Sequence, residues 1–186
     1  MMKKGREPQP RGLSMLDKLL RWIELPIQAL FWISLVAGFL LMFHVSVDVG
    51  GRAAFNRPFV GTTEIVAAWY MIAVAFLPWA WVARNDLHIT ADLFSRIGSR
   101  RFGFWLGILV KLVTASYGAL FAWQTTLRAI QQTGMNEAWE AGGGYIAVWP
   151  SRWILPISAA LMVVYLLLRA LADIRRGDSE EGGSGR

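Results

Sequence analysis

The stretch IVAAWYMIAVAFLPWAWVA, residues 65–83, decides the fold. It runs nineteen residues without a charge. An α-helix needs about 20 such residues to cross a hydrocarbon core about 30 Å thick. Directly after it, VARNDLHITADLF (residues 82–94) places Arg84, Asp86, His88 and Asp92 within nine positions. A charge-free run closed by polar residues is the pattern of a spanning helix and its exit into an interface. Three more apolar runs of comparable length lie at 26–47, 104–127 and 150–168. Composition agrees with four spans. The chain is 55% hydrophobic and 17% charged, whereas soluble domains average about 45–50% and about 25%. The run at 26–47 exceeds the roughly 7–15 apolar residues of a signal peptide, and no A-x-A site follows, so it reads as a retained span.

Basic residues set the expected orientation. The segment before the first span, the loop between spans two and three and the tail together hold fourteen Lys and Arg, against four (Arg52, Arg57, Arg128 and Arg152) in the other two loops. Both termini are therefore expected in the cytoplasm. Tryptophans fit interfacial belts, with Trp79, Trp81 and Trp105 at the cytoplasmic ends and Trp123, Trp149 and Trp153 at the outer ends. The net charge of +6 follows from these flanks, not from a basic stripe, so no nucleic-acid partner is expected.

The flanks carry local structure of their own. LSMLDKLLRWIE (residues 13–24) puts Ser14, Asp17, Lys18 and Arg21 on one helical face and Leu13, Leu16, Leu19, Leu20 and Ile23 on the other. Ser14 and Asp17 have capping-box spacing. This is an amphipathic helix for the cytoplasmic interface, able to continue through Pro26 into the first span. After the second span, Thr90, Leu93, Phe94 and Ile97 form an apolar stripe, with Asp92, Ser95 and Arg96 on the other side. That predicts a short interfacial helix. The expected fold is an all-α membrane protein: residues 1–12 disordered, 13–171 a four-helix membrane domain and 172–186 a disordered, Gly/Ser-rich tail.

Candidate chemistry is sparse. The chain has no cysteine, which excludes disulfides, thiolate nucleophiles and Cys-based metal sites. Of two histidines, His44 falls near the outer end of span one and His88 beyond the cytoplasmic end of span two, so they cannot share one haem iron. His88 and Asp92 share a helical face at i, i+4 but fall short of the ligands a zinc site needs. No Gly-rich phosphate loop, H-E-x-x-H or G-x-S-x-G occurs. AGGGY, residues 141–145, reads as a flexible outer loop. No catalytic residue, metal site or cofactor is expected.

Other polar residues have structural readings. Asp48 and Arg52 can pair at i, i+4. Glu64 opens span two, where a helix N-terminus favours a carboxylate by roughly 0.3–1 kcal/mol. Lys111 is the one charge inside a span. It either snorkels to the cytoplasmic interface or pairs with a carboxylate, for instance on a neighbouring subunit. No internal repeat marks a transporter core.

The stretch GRAAFNRPFVGTTEIVAAWYMIAVAFLPWAWVARNDLHITADLF, residues 51–94, resembles the small membrane subunit (DctQ, or Q-type) of tripartite ATP-independent periplasmic (TRAP) transporters. The carrying residues are Arg52, the run Phe55-Asn56-Arg57-Pro58, Gly61 and Glu64 before the span, then Arg84, His88-Ile89 and Asp92 after it. Three positions depart from the family's habit: Ala53 for an aromatic, Thr63 for a second acid, and Pro78 for a glycine, which predicts a kink. The resemblance implies a scaffold role beside a large multi-helix transport subunit and a periplasmic substrate-binding protein. It also implies uptake of organic anions driven by an ion gradient, typically sodium. Arg52, Asn56, Arg57, Glu64, Arg84, His88, Asp92 and Lys111 are the subunit-interface or structural candidates. A membrane anchor of a redox enzyme and a self-sufficient small carrier are the alternative classes.

Overall fold

A computed structural model describes residues 14–56, 60–85 and 100–181, with backbone only at 14, 17, 100–104 and 176–181. Four helices are long and apolar enough to cross a membrane. Helix α1 is Ser14–Phe55. Helix α2 is the span Thr62–Asn85. Helix α3 is Arg100–Gly134 and α4 is Ile154–Glu181. Strands β1 (Ala138–Ala141) and β2 (Gly144–Ala147) lie between α3 and α4. The short interfacial helix expected after span two falls on residues 86–99, outside the described residues, as do His88 and Asp92.

Helix α1 is 42 residues long, about 63 Å at 1.5 Å per residue, roughly twice the hydrocarbon thickness. The amphipathic start and the first span form one helix through Pro26. Its inward stripe is narrow: Leu16, Ile27, Ser34, Ala37 and Asp48 are buried. The opposite side is apolar and exposed, including Trp32, Phe39 and Phe43. The helix runs past residue 47, the end expected for the first span. Nothing in VDVGGRAAF stops a helix outright, since a mid-helix glycine costs only about 1 kcal/mol against alanine. The helix ends where Asn56 turns left-handed at φ 52° and donates its N–H to the Arg52 carbonyl at 3.0 Å. Asparagine tolerates that conformation better than most residues.

Helix α2 is not uniform. Thr62–Ile65 is α, Val66–Tyr70 is π-helical and Met71–Phe76 is α again. The helix breaks at Leu77–Pro78 and resumes to Asn85. Pro78 brings no N–H, which is the physical reason for the break expected there. The Ser158 hydroxyl on α4 donates to the Phe76 carbonyl beside it. In a bilayer such side-chain donors satisfy carbonyls that an interrupted helix leaves over.

Helix α4 sits in the middle of the packing. Tyr165 clusters with Ile27 of α1 and Ala80 of α2, flanked by Ile23, Trp81 and Leu161. Ile154 packs beside Ala37, Ala73 and Leu77. Small residues are buried on both α3 (Ala115 and Ala129) and α4 (Ala159, Ala170 and Ala172), and a small residue also lets α3 approach α4 closely. A Cβ at Gly118 would lie 2.9 Å from both Met162 Cε and Val163 Cγ2. Helix α4 runs to Glu181, beyond the boundary expected at residue 171. Buried Ala172 and half-buried Asp173 carry the inward stripe past the end of the apolar run.

AGGGY, residues 141–145, expected as a flexible outer loop, instead lies in an ordered hairpin. Helix α3 runs to Gly134, and β1 and β2 then form an antiparallel hairpin in the register Ala138↔Ala147 to Ala141↔Gly144. Gly142 and Gly143 make its two-residue turn at φ 55° and 97°. Positive φ at both central positions is what a tight hairpin turn demands, and glycine supplies it at no steric cost. The protein remains helical overall, with this one small sheet among its described residues.

Candidate functional site

Polar side chains gather at the two ends of the bundle. At the end that carries the termini, every helix contributes. Lys111 Nζ on α3 lies 2.5 Å from Asp173 Oδ2 on α4. Arg169 reaches the other oxygen of Asp173 at 3.8 Å. Arg84 on α2 meets Glu24 on α1 at 3.2 Å. Tyr165, buried on α4, stands close enough to Arg169, Arg84, Glu24 and Asp173 to feel all four charges. The layer thus links α1 to α2 and α3 to α4 around one tyrosine. An open groove on α1 adjoins it, lined by Lys18, Arg21, Trp22, Glu24, Leu25 and Gln28.

At the opposite end the hairpin is clamped at its base. Arg152 donates through Nε to Glu137 Oε2 at 3.0 Å and through Nη2 to Oε1 at 2.7 Å. Two-pronged guanidinium–carboxylate bonds fix geometry as well as adding energy. They hold the Glu137 carboxyl below its usual range against the opposing effect of burial. The Glu137 carbonyl accepts the N–H groups of Val148 at 2.9 Å and Trp149 at 3.2 Å. Trp153 donates to Thr133 Oγ1 at 3.0 Å and closes the junction of α3 with the turn Trp149–Trp153.

The hairpin also rests on the segment that precedes α2. A Cβ at Gly61, where φ is 83°, would come within 2.8 Å of Ile146 Cδ1 and 3.4 Å of Ala141 Cβ. Gly142 sits against Val60 in the same way. The Trp69 indole, in the π-helical turn, donates to the Ala147 carbonyl at 3.3 Å. Segments far apart in sequence, 60–69 and 137–153, therefore form one surface.

The candidates read from the sequence fall into these two groups. Arg52 pairs with Asp48 at 2.6 Å while its own side chain stays half exposed. Asn56 ends α1, and Glu64 stands half-buried in the first turn of α2. Arg84 and Lys111 belong to the charged layer at the other end. Arg57, His88 and Asp92 lie outside the described residues. Glu24, Glu137, Arg152, Tyr165 and Asp173 also belong to these groups, and Ser158 bonds α4 to α2; no local motif in the sequence singles them out. For Lys111 the sequence left snorkelling and a carboxylate partner open, and the structure gives it Asp173 of its own chain.

Fold and geometry together define an integral membrane subunit whose charges tie its own helices to one another. The family model for the DctQ component of tripartite ATP-independent periplasmic transporters matches residues 41–176, and the chain belongs to that family. No curated protein and no solved structure matches the chain. It is thus the small membrane subunit of a TRAP transporter, a transport component and not an enzyme. The family works with a large membrane subunit and a periplasmic binding protein.

Proposed function

We propose that this chain is the scaffold subunit of a sodium-driven uptake system for organic anions. It braces the large transport subunit in the inner membrane and offers its hairpin end to the periplasmic substrate-binding protein. Both termini face the cytoplasm on this reading, following the excess of Lys and Arg at that end. The observation that carries the scaffold role is the pairing of the intramembrane charge. Lys111 is matched to Asp173, so α3 and α4 are locked together and this lysine is not held in reserve for an ion or substrate.

The candidate residues take structural roles here. Arg84 with Glu24 and Lys111 with Asp173 clasp the cytoplasmic end. His88 and Asp92 fix the turn from α2 into an interfacial helix against lipid headgroups or the large subunit. Arg52, Asn56, Arg57 and Glu64 shape the outer end beside the hairpin. Lys18 and Arg21, with Trp22 next to them, suit the headgroup zone of membrane lipids. The function needs no cofactor and no metal on this chain.

Reconstitution tests it. Liposomes holding this chain, the large subunit and the binding protein should take up a carboxylate substrate under an inward sodium gradient. Liposomes with this chain alone should not. Uptake by the chain alone would make it a carrier in its own right.

A further inference from the structure

The outward faces of the four helices differ in one respect. On α1, the exposed residues in the middle of the span, 29–45, are all apolar, and exposed Gln28 and Ser46 stand only at its two ends. On α2 the exposed positions between 66 and 83 are Met71, Val74, Ala75 and Val82. On α4, between 154 and 171, they are Ile157, Ala160, Val164, Leu167 and Leu171. Helix α3 breaks this pattern with Thr114, Ser116, Tyr117 and Gln124, all exposed.

Thr114 and Ser116 are short enough to bond back to their own helix. Tyr117 and Gln124 are not, and among the described residues neither has a hydrogen-bond partner. They are seven residues apart, two turns of helix, and so share a face with Val113 and Leu120 between and beside them. Tyr117 is 69% exposed. It lies twelve residues from Trp105 and seventeen from Gly134, the ends of the apolar span, or about 18 and 25 Å along the axis. Its hydroxyl cannot reach water from there. Lipid tails offer it nothing to bond, and an unpaired polar group in hydrocarbon costs several kcal/mol.

We infer that this face of α3, centred on Tyr117 and Gln124, is where a transmembrane helix of the large subunit packs. The inference rests on the proposed scaffold role and adds which helix does the bracing. The partner helix presents a hydrogen-bonding group, a Ser, Thr or Asn side chain or a carbonyl at a helix break, level with Tyr117. It presents a second about two turns further along for Gln124. Small Ser116 lets the two backbones approach beside the tyrosine. The wholly apolar outward faces of α2 and α4 are left to lipid.

The test uses the whole complex in native membranes. Benzoylphenylalanine is placed at position 117 and, separately, at position 164 on α4, and the membranes are irradiated. An adduct with the large subunit from position 117, and none from position 164, is expected. Tyr117→Phe and Gln124→Leu should each lower the large subunit recovered with this chain by roughly three- to tenfold. The abundance of this chain should not change. An adduct between two copies of this chain, or no protein adduct at position 117, overturns the face assignment. Co-purification of the wild-type chain separates the two levels. If the large subunit is recovered but position 117 does not crosslink to it, this inference fails and the scaffold role stands. If the large subunit is never recovered, the scaffold role fails first.

Discussion

Lys111 Nζ and Asp173 Oδ2 lie 2.5 Å apart, joining α3 to α4 through side chains only 13% and 20% exposed. Asp173 also has Arg169 at 3.8 Å, whereas Lys111 has Asp173 as its one ion-pair partner among the described residues. Removing the two partners is therefore not symmetric. Asp173→Ala strands two cations and should cost roughly 3 kcal/mol, the range seen when a buried pair loses one member. Lys111→Met leaves Asp173 with Arg169 and should cost about 1 kcal/mol or less. Thermal unfolding in detergent compares them. A more damaging Lys111→Met would mean the pair does not act as a shared lock.

The Glu137–Arg152 clamp makes the hairpin sensitive to acid. The bond from Arg152 holds the folded-state pKa of Glu137 below its usual 4.5. A depressed carboxyl binds its proton more weakly when folded. Its stabilisation is complete above about pH 4.5 and is lost as pH falls through the lower, folded value. Hydrogen exchange at Val148 and Trp149, whose N–H groups bond to the Glu137 carbonyl, should speed up below that point after correction for intrinsic rates. Glu137→Gln should exchange faster at neutral pH and lose the dependence. A wild-type hairpin whose protection stayed flat while the Glu137 carboxyl took up its proton would contradict the clamp.

Gly118 sets the distance between α3 and α4. Gly118→Ala forces Val163 and Met162 to give way and should cost roughly 1–3 kcal/mol by overpacking. Met162 can swing aside, but β-branched Val163 is stiff. Adding Val163→Ala should restore much of the loss. If the double variant is no more stable than the single one, the helices are not in contact at this level.

Gly61 joins the segment before α2 to the hairpin. Gly61→Ala meets both a left-handed backbone and the Ile146 side chain, and should cost about 1–2 kcal/mol in backbone strain alone. Ile146→Ala removes the clash but not the strain, so rescue should be partial. Protease cleavage within 138–147, read on intact membranes, reports how well the hairpin stays docked. Unchanged cleavage in Gly61→Ala would separate the two segments.

The four spans were legible because each is an apolar run longer than any soluble helix needs. Residues 51–94 carried the family because its polar residues bracket one such run in a fixed order. What stayed hidden depends on contacts between segments. AWEA and GYIA are too short to announce strands, and GG between them reads equally as slack or as a tight turn. Its answer is set by Val60 and Gly61, some eighty residues upstream. Asp173 lies past the apolar run that defines span four, so nothing local marked it as level with Lys111. Helix depth relative to a neighbour is a packing property, not a spacing. The same holds for Ser158, whose hydroxyl finds a carbonyl beside a proline 80 residues earlier. Pro78 itself was readable, because a missing N–H acts locally.

On the proposed reading, this chain braces a larger membrane partner. Affinity purification of the tagged chain from native membranes, with the neighbouring genes intact, tests it most directly. A stable complex with one much larger multi-helix membrane protein, in fixed proportion, is the expected result. A folded chain recovered alone at native expression, in mild detergent and without that protein, would contradict it.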